Sequence, residues 1–147
     1  MTVESEWAGE RGDRGQRGAT PAERARLILQ LYLDQRLDEL PPLIHPEAEL
    51  EAGFATPGAT FDQDTILDAA WAASSTGAYR PQYELVESLD ETTALVGVRI
   101  RYVIGEDLFS ERDAAILMTF RDGRLWRSRF FDTIDDALQA HRAEVPG

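Results

Sequence analysis

Thr93-Ala94-Leu95-Val96-Gly97-Val98-Arg99-Ile100-Arg101-Tyr102-Val103-Ile104 is the stretch on which the fold turns. Val96, Val98, Ile100, Tyr102 and Ile104 fall on one side of an extended chain, with Arg99 and Arg101 on the other. That alternation has the period of a strand with one buried face. Working outward, Gln82–Leu89 before it and Leu108–Phe120 and Arg124–Phe131 after it also read as strands. The last two meet at Asp122-Gly123, a dipeptide suited to the left-handed positions of a tight hairpin turn. Strands in a run, with no helices between them, exclude a doubly wound sheet and predict an antiparallel meander.

Upstream the period changes. Thr20-Pro21-Ala22-Glu23 is a capping box with proline at the first helical position. Leu27, Ile28, Leu31 and Tyr32 follow at helical spacing, predicting a helix to about Arg36. Asp38 is placed to cap a short second helix that ends before His45-Pro46. Ala48, Leu50, Ala52 and Phe54 then alternate with Glu47, Glu49 and Glu51, the pattern of a half-buried strand whose glutamate face is solvated. Asp62 caps a third helix in which Leu67, Ala70, Trp71 and Ser74 share a face. Thr133 opens a closing helix that carries Ile134, Ala137 and Leu138. The class is therefore α+β: helices gathered on one face of a curved antiparallel sheet, leaving a cone with an apolar cavity.

Residues 1–19 have a different composition, with Gly9, Gly12, Gly15 and Gly18 at a period of three. Three triplets without proline do not make a collagen segment. The segment reads as a disordered glycine- and arginine-rich tail before a domain over residues 20–147. The 147 residues hold 27 acidic and 15 basic side chains, a net charge of −12. So acidic a surface argues against nucleic acid and anionic membranes as partners. Neither a membrane-length apolar run nor a signal peptide's apolar centre is present, so a cytoplasmic location is expected.

The chain has no phosphate-binding glycine loop, no nucleophile elbow and no cysteine. Two distant histidines, His45 and His141, lack the spacing of a metal site, and no metal or cofactor is expected. Among the acids, Asp132 stands out at the end of the last strand beside Phe130 and Phe131, where desolvation would raise its pKa. Its other role is to help Thr133 cap the closing helix. Arg99 and Arg101 share one strand face, Arg127 and Arg129 another, and an outer, solvated face is the first expectation for them. An arginine turned into the cavity would bind a carboxylate, with Asp132 the natural partner. Tyr32, Phe54, Trp71, Tyr102 and Phe131 are candidates to line a pocket, or simply to fill the core.

Three phrases add a family resemblance. Leu43-Ile44-His45-Pro46-Glu47-Ala48 precedes the first strand, and Thr119-Phe120-Arg121-Asp122-Gly123-Arg124-Leu125 spans the hairpin. Arg129-Phe130-Phe131-Asp132 then leads into a helix with Asp136-Ala137-Leu138. In that order they resemble the SnoaL-like branch of the nuclear transport factor 2-like superfamily, over about Pro21 to Ala143. The resemblance implies a cone of bent sheet closed by helices, a homodimer, and a pocket for a small organic molecule. Members include polyketide cyclases, ketosteroid isomerases, epoxide hydrolases and binding modules without activity, so the fold leaves the function open. The ketosteroid isomerase base matches Ala52 here and is missing. In the epoxide hydrolase set Arg99 and Asp132 resemble one arginine and one aspartate, while the second aspartate falls on Arg101 or Tyr102. The water-holding pair of that set falls near Leu50 and Ala52, which cannot hold a water through their side chains. A SnoaL-type acid/base aspartate is matched by Asp132. The expectation is a binder of a small, largely apolar metabolite. On it, Asp132 oriented by Arg99 performs cofactor-free isomerisation, cyclisation or hydration, with Tyr32 or Tyr102 donating to a carbonyl. The rival expectation is a non-catalytic binding or dimerisation module.

Overall fold

In the computed structural model, residues 19–51, 60–68 and 79–144 are described. The expected tail, Phe54, and the third helix beyond Asp68, with Trp71, lie outside the described residues. Helix α1 (Pro21–Leu33) starts where the capping box places it. The Glu23 amide donates to Thr20 Oγ1 at 3.2 Å, and Glu23 Oε1 accepts the Thr20 amide at 3.0 Å. The expected second helix is instead two 3₁₀ turns, Leu37–Glu39 and Pro41–Leu43, and Asp38 lies inside the first rather than capping it. Asp62 does cap, accepting the amides of Asp64 and Thr65 at 3.0 Å each, ahead of a helical turn over residues 66–68.

Among the described residues six strands form one curved sheet: β1 (Ile44–Glu51), β2 (Thr60–Phe61), β3 (Tyr79–Ser88), β4 (Thr93–Ile104), β5 (Asp107–Arg121) and β6 (Arg124–Phe131). Their order is β2-β1-β6-β5-β4-β3. The meander β3–β6 is antiparallel throughout, as its sequence predicts. One pairing departs from the expected antiparallel sheet, because β1 runs parallel to β6 and makes the sheet mixed. Strand β1 also begins earlier than its alternation suggests, at Ile44, since His45-Pro46 lies within a register shift of the β1–β6 pair. Proline brings no N–H, so an irregular stretch is where the ladder tolerates it. At the β5–β6 hairpin Asp122 and Gly123 have φ of 54° and 79°, the left-handed pair that such a turn requires. Arg24 of α1 holds this turn by donating to the Gly123 carbonyl at 2.9 Å.

The sheet has two apolar faces. The inner face carries Val96, Val98 and Ile100 of β4 with Ala114, Ile116, Met118 and Phe120 of β5, packed with Ala25, Ile28 and Leu29 of α1. The outer face carries Leu95, Ala115 and Leu117 under Ala137 of α2 (Ile134–Glu144), flanked by Leu89, Phe131 and Leu138. Helix α2 opens at Thr133, whose Oγ1 accepts the Asp136 amide at 3.0 Å. It approaches closely because β4 has glycine beneath it: a Cβ on Gly97 would lie 3.3 Å from Ile134 Cδ1 and 3.2 Å from Leu85 Cβ. A second clasp is His141, whose Nε2 lies 2.7 Å from Asp90 Oδ2 in the β3–β4 turn.

Candidate functional site

Which side chains face the interior follows from register. Residues directly opposite in an antiparallel pair share a face. Ile100, fully buried in the inner core, stands opposite Arg112. Arg112 therefore belongs to the inner face, two positions ahead of Ala114 and four ahead of Ile116. Phe130 lies opposite Ile116, and the same alternation carried one step past β6 brings Asp132 to that side. There Asp132 Oδ1 meets Arg112 Nη2 at 2.5 Å. Tyr102, Tyr83 and Phe130 pack at the edge of the same core, as does Tyr32 near the C-terminal end of α1. Burial pushes the Tyr32 phenol above its ordinary pKa, so at neutral pH it remains a protonated donor. At this edge of the inner core, partly buried tyrosine and phenylalanine side chains and the Arg112–Asp132 ion pair share one sheet face.

This arrangement corrects three expectations. Arg99 is not the partner of Asp132. It stands on the outer face opposite Asp113, donates to Asp113 Oδ1 at 3.1 Å, and lies within 4.0 Å of Glu84 and 3.9 Å of Glu111. The hydrogen bond and charge of Asp113, followed by the two glutamates, hold the Arg99 guanidinium above its usual pKa. Arg101 beside it pairs with Glu111 at 3.1 Å, and Arg129 pairs with Glu144 of α2. Phe131 is turned away from the inner face too, packed with Leu95, Ala115 and Leu117 beneath α2, with the Arg129 guanidinium 5.2 Å from its ring centroid. Asp132, finally, is not desolvated: 71 % of its side chain is exposed. Successive strand residues point to opposite faces, so Phe130 and Arg112 occupy the positions that Phe131 and Arg99 were expected to hold. The missed signal was local. Counting back by twos from Phe120, Met118, Ile116 and Ala114 reaches Arg112.

Both histidines are held by neighbours. His45 is 8 % exposed; its Nδ1 accepts the Glu47 amide at 3.0 Å and its Nε2 lies 3.6 Å from Asp122. It forms a cleft of about 390 Å³ with Pro46, Glu47, Asp122 and Arg124, at the opposite end of β5 from Arg112. Among the described residues no three histidine, aspartate or glutamate side chains come together to hold a metal ion. No helix among them is long and apolar enough to cross a membrane.

No protein-family model matches the chain, and no curated protein matches its sequence. Its solved structural neighbours show the fold, a cone of curved sheet and helices shared with proteins described as SnoaL-like and NTF2-like. A SnoaL-like polyketide cyclase from Agrobacterium tumefaciens superposes with a TM-score of 0.58 at 14% identity, over 82% of this chain and 98% of that one. An NTF2-like protein from Mesorhizobium loti gives 0.59 at 21% identity, over 84% and 93% of the two chains. An LEH-like epoxide hydrolase of M. tuberculosis gives 0.60 at 12% identity, over 81% and 86%. Identities this low establish the fold alone.

Proposed function

We propose that the inner side of the sheet binds a small, largely apolar organic molecule beside Tyr102 and Phe130, and that Asp132 acts on it as acid or base, with Arg112 rather than Arg99 as its partner. The observation that carries this reading is the Arg112–Asp132 pair, set on the same sheet face as the apolar core and beside Phe130 and Tyr102. In the reading, Arg112 holds the carboxylate in place and Asp132 exchanges a proton with a bound substrate. Tyr32 or Tyr102 donates to the substrate's carbonyl as negative charge develops on it. Isomerisation, cyclisation and hydration all fit this cofactor-free proton transfer. The neighbours described as a polyketide cyclase and an epoxide hydrolase lend support at the level of fold. We include in the proposal a homodimer and a cytoplasmic location. The 71 % exposure of Asp132 favours a second reading, a binding module in which the ion pair only borders the ligand.

A thermal-shift screen against polyketide, terpenoid and steroid-like compounds tests binding, and turnover of any hit then separates the two readings. Asp132→Asn should abolish turnover while leaving the fold and the thermal shift intact. Undiminished turnover would remove Asp132 from the mechanism. A ligand that shifts the melting temperature and is never converted would leave the binding module.

A further inference from the structure

We infer that the cleft beside His45 is a second binding site, which takes a polyhydroxy carboxylate: one hydroxyl bridges His45 and Asp122, and the carboxylate lies on Arg124. The cleft is at the opposite end of β5 from Arg112, so this site neither needs nor excludes a ligand on the inner face.

His45 supplies the directional part. It belongs to the irregular stretch of β1 and is 8 % exposed. Its Nδ1 accepts the Glu47 amide at 3.0 Å, so that nitrogen is bare and the neutral ring carries its proton on Nε2. Among the described residues this Nε2–H has no acceptor at hydrogen-bond distance, since Asp122 Oδ2 is 3.6 Å away. A nearly buried donor left without a partner is costly, and this one borders a cleft of about 390 Å³ that is open to a ligand. An oxygen about 2.8 Å from both Nε2 and Oδ2 spans the gap, accepting from the imidazole and donating to the carboxylate. A hydroxyl does both. An ammonium cannot accept, a carbonyl cannot donate, and a carboxylate there would meet Asp122 as a like charge.

Arg124 supplies the charge. It stands opposite Arg121 across the β5–β6 turn, a like-charge pair that is unfavourable by itself. Arg121 is answered by Glu47 at 3.6 Å, and Arg24 is engaged on the Gly123 carbonyl. Among the described residues the Arg124 guanidinium has neither a hydrogen bond nor an ion pair, although it lines the cleft. Its planar fork suits a carboxylate. A phosphate would bring a second negative charge toward Asp122 and Glu47, so the single charge of a carboxylate fits better. Asp122 is 81 % exposed and Arg124 is exposed as well, so each charge contributes modestly. Selectivity comes from joining them to the nearly buried imidazole.

The test titrates the full chain with gluconate, hexanoate and sorbitol, chains of equal length that carry both groups, the carboxylate alone and the hydroxyls alone. Binding is read on the His45 imidazole resonances, which only those of His141 accompany. Gluconate should bind about three- to tenfold more tightly than hexanoate, the worth of a net hydrogen bond. It should bind about two- to fivefold more tightly than sorbitol, the worth of an exposed ion pair. Arg124→Gln should bring gluconate down to the affinity of sorbitol. Asp122→Asn keeps a residue that tolerates the left-handed turn and removes a charge beside the bound anion. It should tighten hexanoate binding and narrow the advantage of gluconate. Damage to the fold cannot tighten binding, so this variant reads cleanly even if the turn is weakened. In mildly alkaline buffer the imidazole nitrogens should show the proton on Nε2, with and without gluconate. Hexanoate or sorbitol matching gluconate, a neutral ring protonated on Nδ1, or no response of His45 to any of the three would overturn the site. None of these outcomes touches the inner-face reading, which the thermal-shift screen tests separately.

Discussion

Asp90 offers the sharpest test of how the two faces of the sheet are held together. Its Oδ1 accepts the amides of Thr92 and Thr93, both at 2.8 Å, and the Thr92 hydroxyl at 3.1 Å, while Oδ2 meets His141 Nε2 at 2.7 Å. One carboxylate thus closes the β3–β4 turn and ties it to α2. Each such bond contributes about 1 kcal/mol net where no replacement is at hand. Water replaces part of the loss, because the Asp90 side chain is 38 % exposed, whereas Thr93 is 6 % exposed. Asp90→Ala should therefore cost about 2 kcal/mol, or roughly 6 °C in melting temperature for a domain of this size. Asp90→Asn keeps an acceptor for the turn and loses the charge facing His141, so about half that cost is expected.

Burial pushes the Asp90 carboxyl up, but the hydrogen bonds from His141 and from Thr92 and Thr93 outweigh it and hold the group below its ordinary pKa. A depressed acid stabilises the fold fully above its unfolded pKa, about 3.9, and loses that contribution as the pH falls through the folded value. The gap between wild type and Asp90→Asn should accordingly be constant near neutrality and shrink below about pH 4. Urea unfolding followed by circular dichroism measures each variant, and a double-mutant cycle with His141→Ala isolates the clasp. An Asp90→Ala variant as stable as wild type, or a coupling energy of zero, would refute the role assigned to Asp90.

Further outcomes follow from the same geometry. Thr20→Ala breaks the capping box and should lower stability by about 1 kcal/mol in the same unfolding assay. Gly97→Leu forces a side chain into the space under Ile134, which should cost about 1–3 kcal/mol and raise hydrogen exchange in α2 ahead of β4. Arg99→Ala, on the outer face among Glu84, Glu111 and Asp113, should leave the affinity of any inner-face ligand unchanged, as isothermal titration would show.

What the sequence discloses, and what it hides, divides along the range of the interaction. Caps and turns are local, so Thr20, Asp62, Asp122-Gly123 and Thr133 all act at the positions their chemistry predicts. Strand extents were equally legible, and β4 and β6 have the bounds read from their alternation. Facing was harder. It depends on counting by twos through register shifts such as those at Tyr83/Leu85, Tyr102/Val103 and Thr119/Phe120. An arginine flanking apolar residues was easier to see in β4 than at the start of β5, so Arg99 was favoured where Arg112 sits inside. Least legible was the parallel pairing of β1 with β6, which joins Glu49 to Arg127 across most of the chain. No local pattern encodes it.

That pairing has a consequence for how the protein is made. Strand β6 lies between β1 and β5, yet it is the last strand to leave the ribosome. Glu51, whose Oε1 accepts the Phe130 amide at 2.8 Å, waits for a partner 79 positions later in the chain. At roughly 5–20 residues per second, the first strand and its apolar residues stay without their central neighbour for several seconds of synthesis. The antiparallel meander can zip from neighbouring segments, whereas inserting β6 beside β1 closes the longest loop in the sheet and is the step expected to limit folding. A polar, acidic chain is well suited to that wait, since mutual repulsion keeps half-made copies from pairing through the open edge of β1.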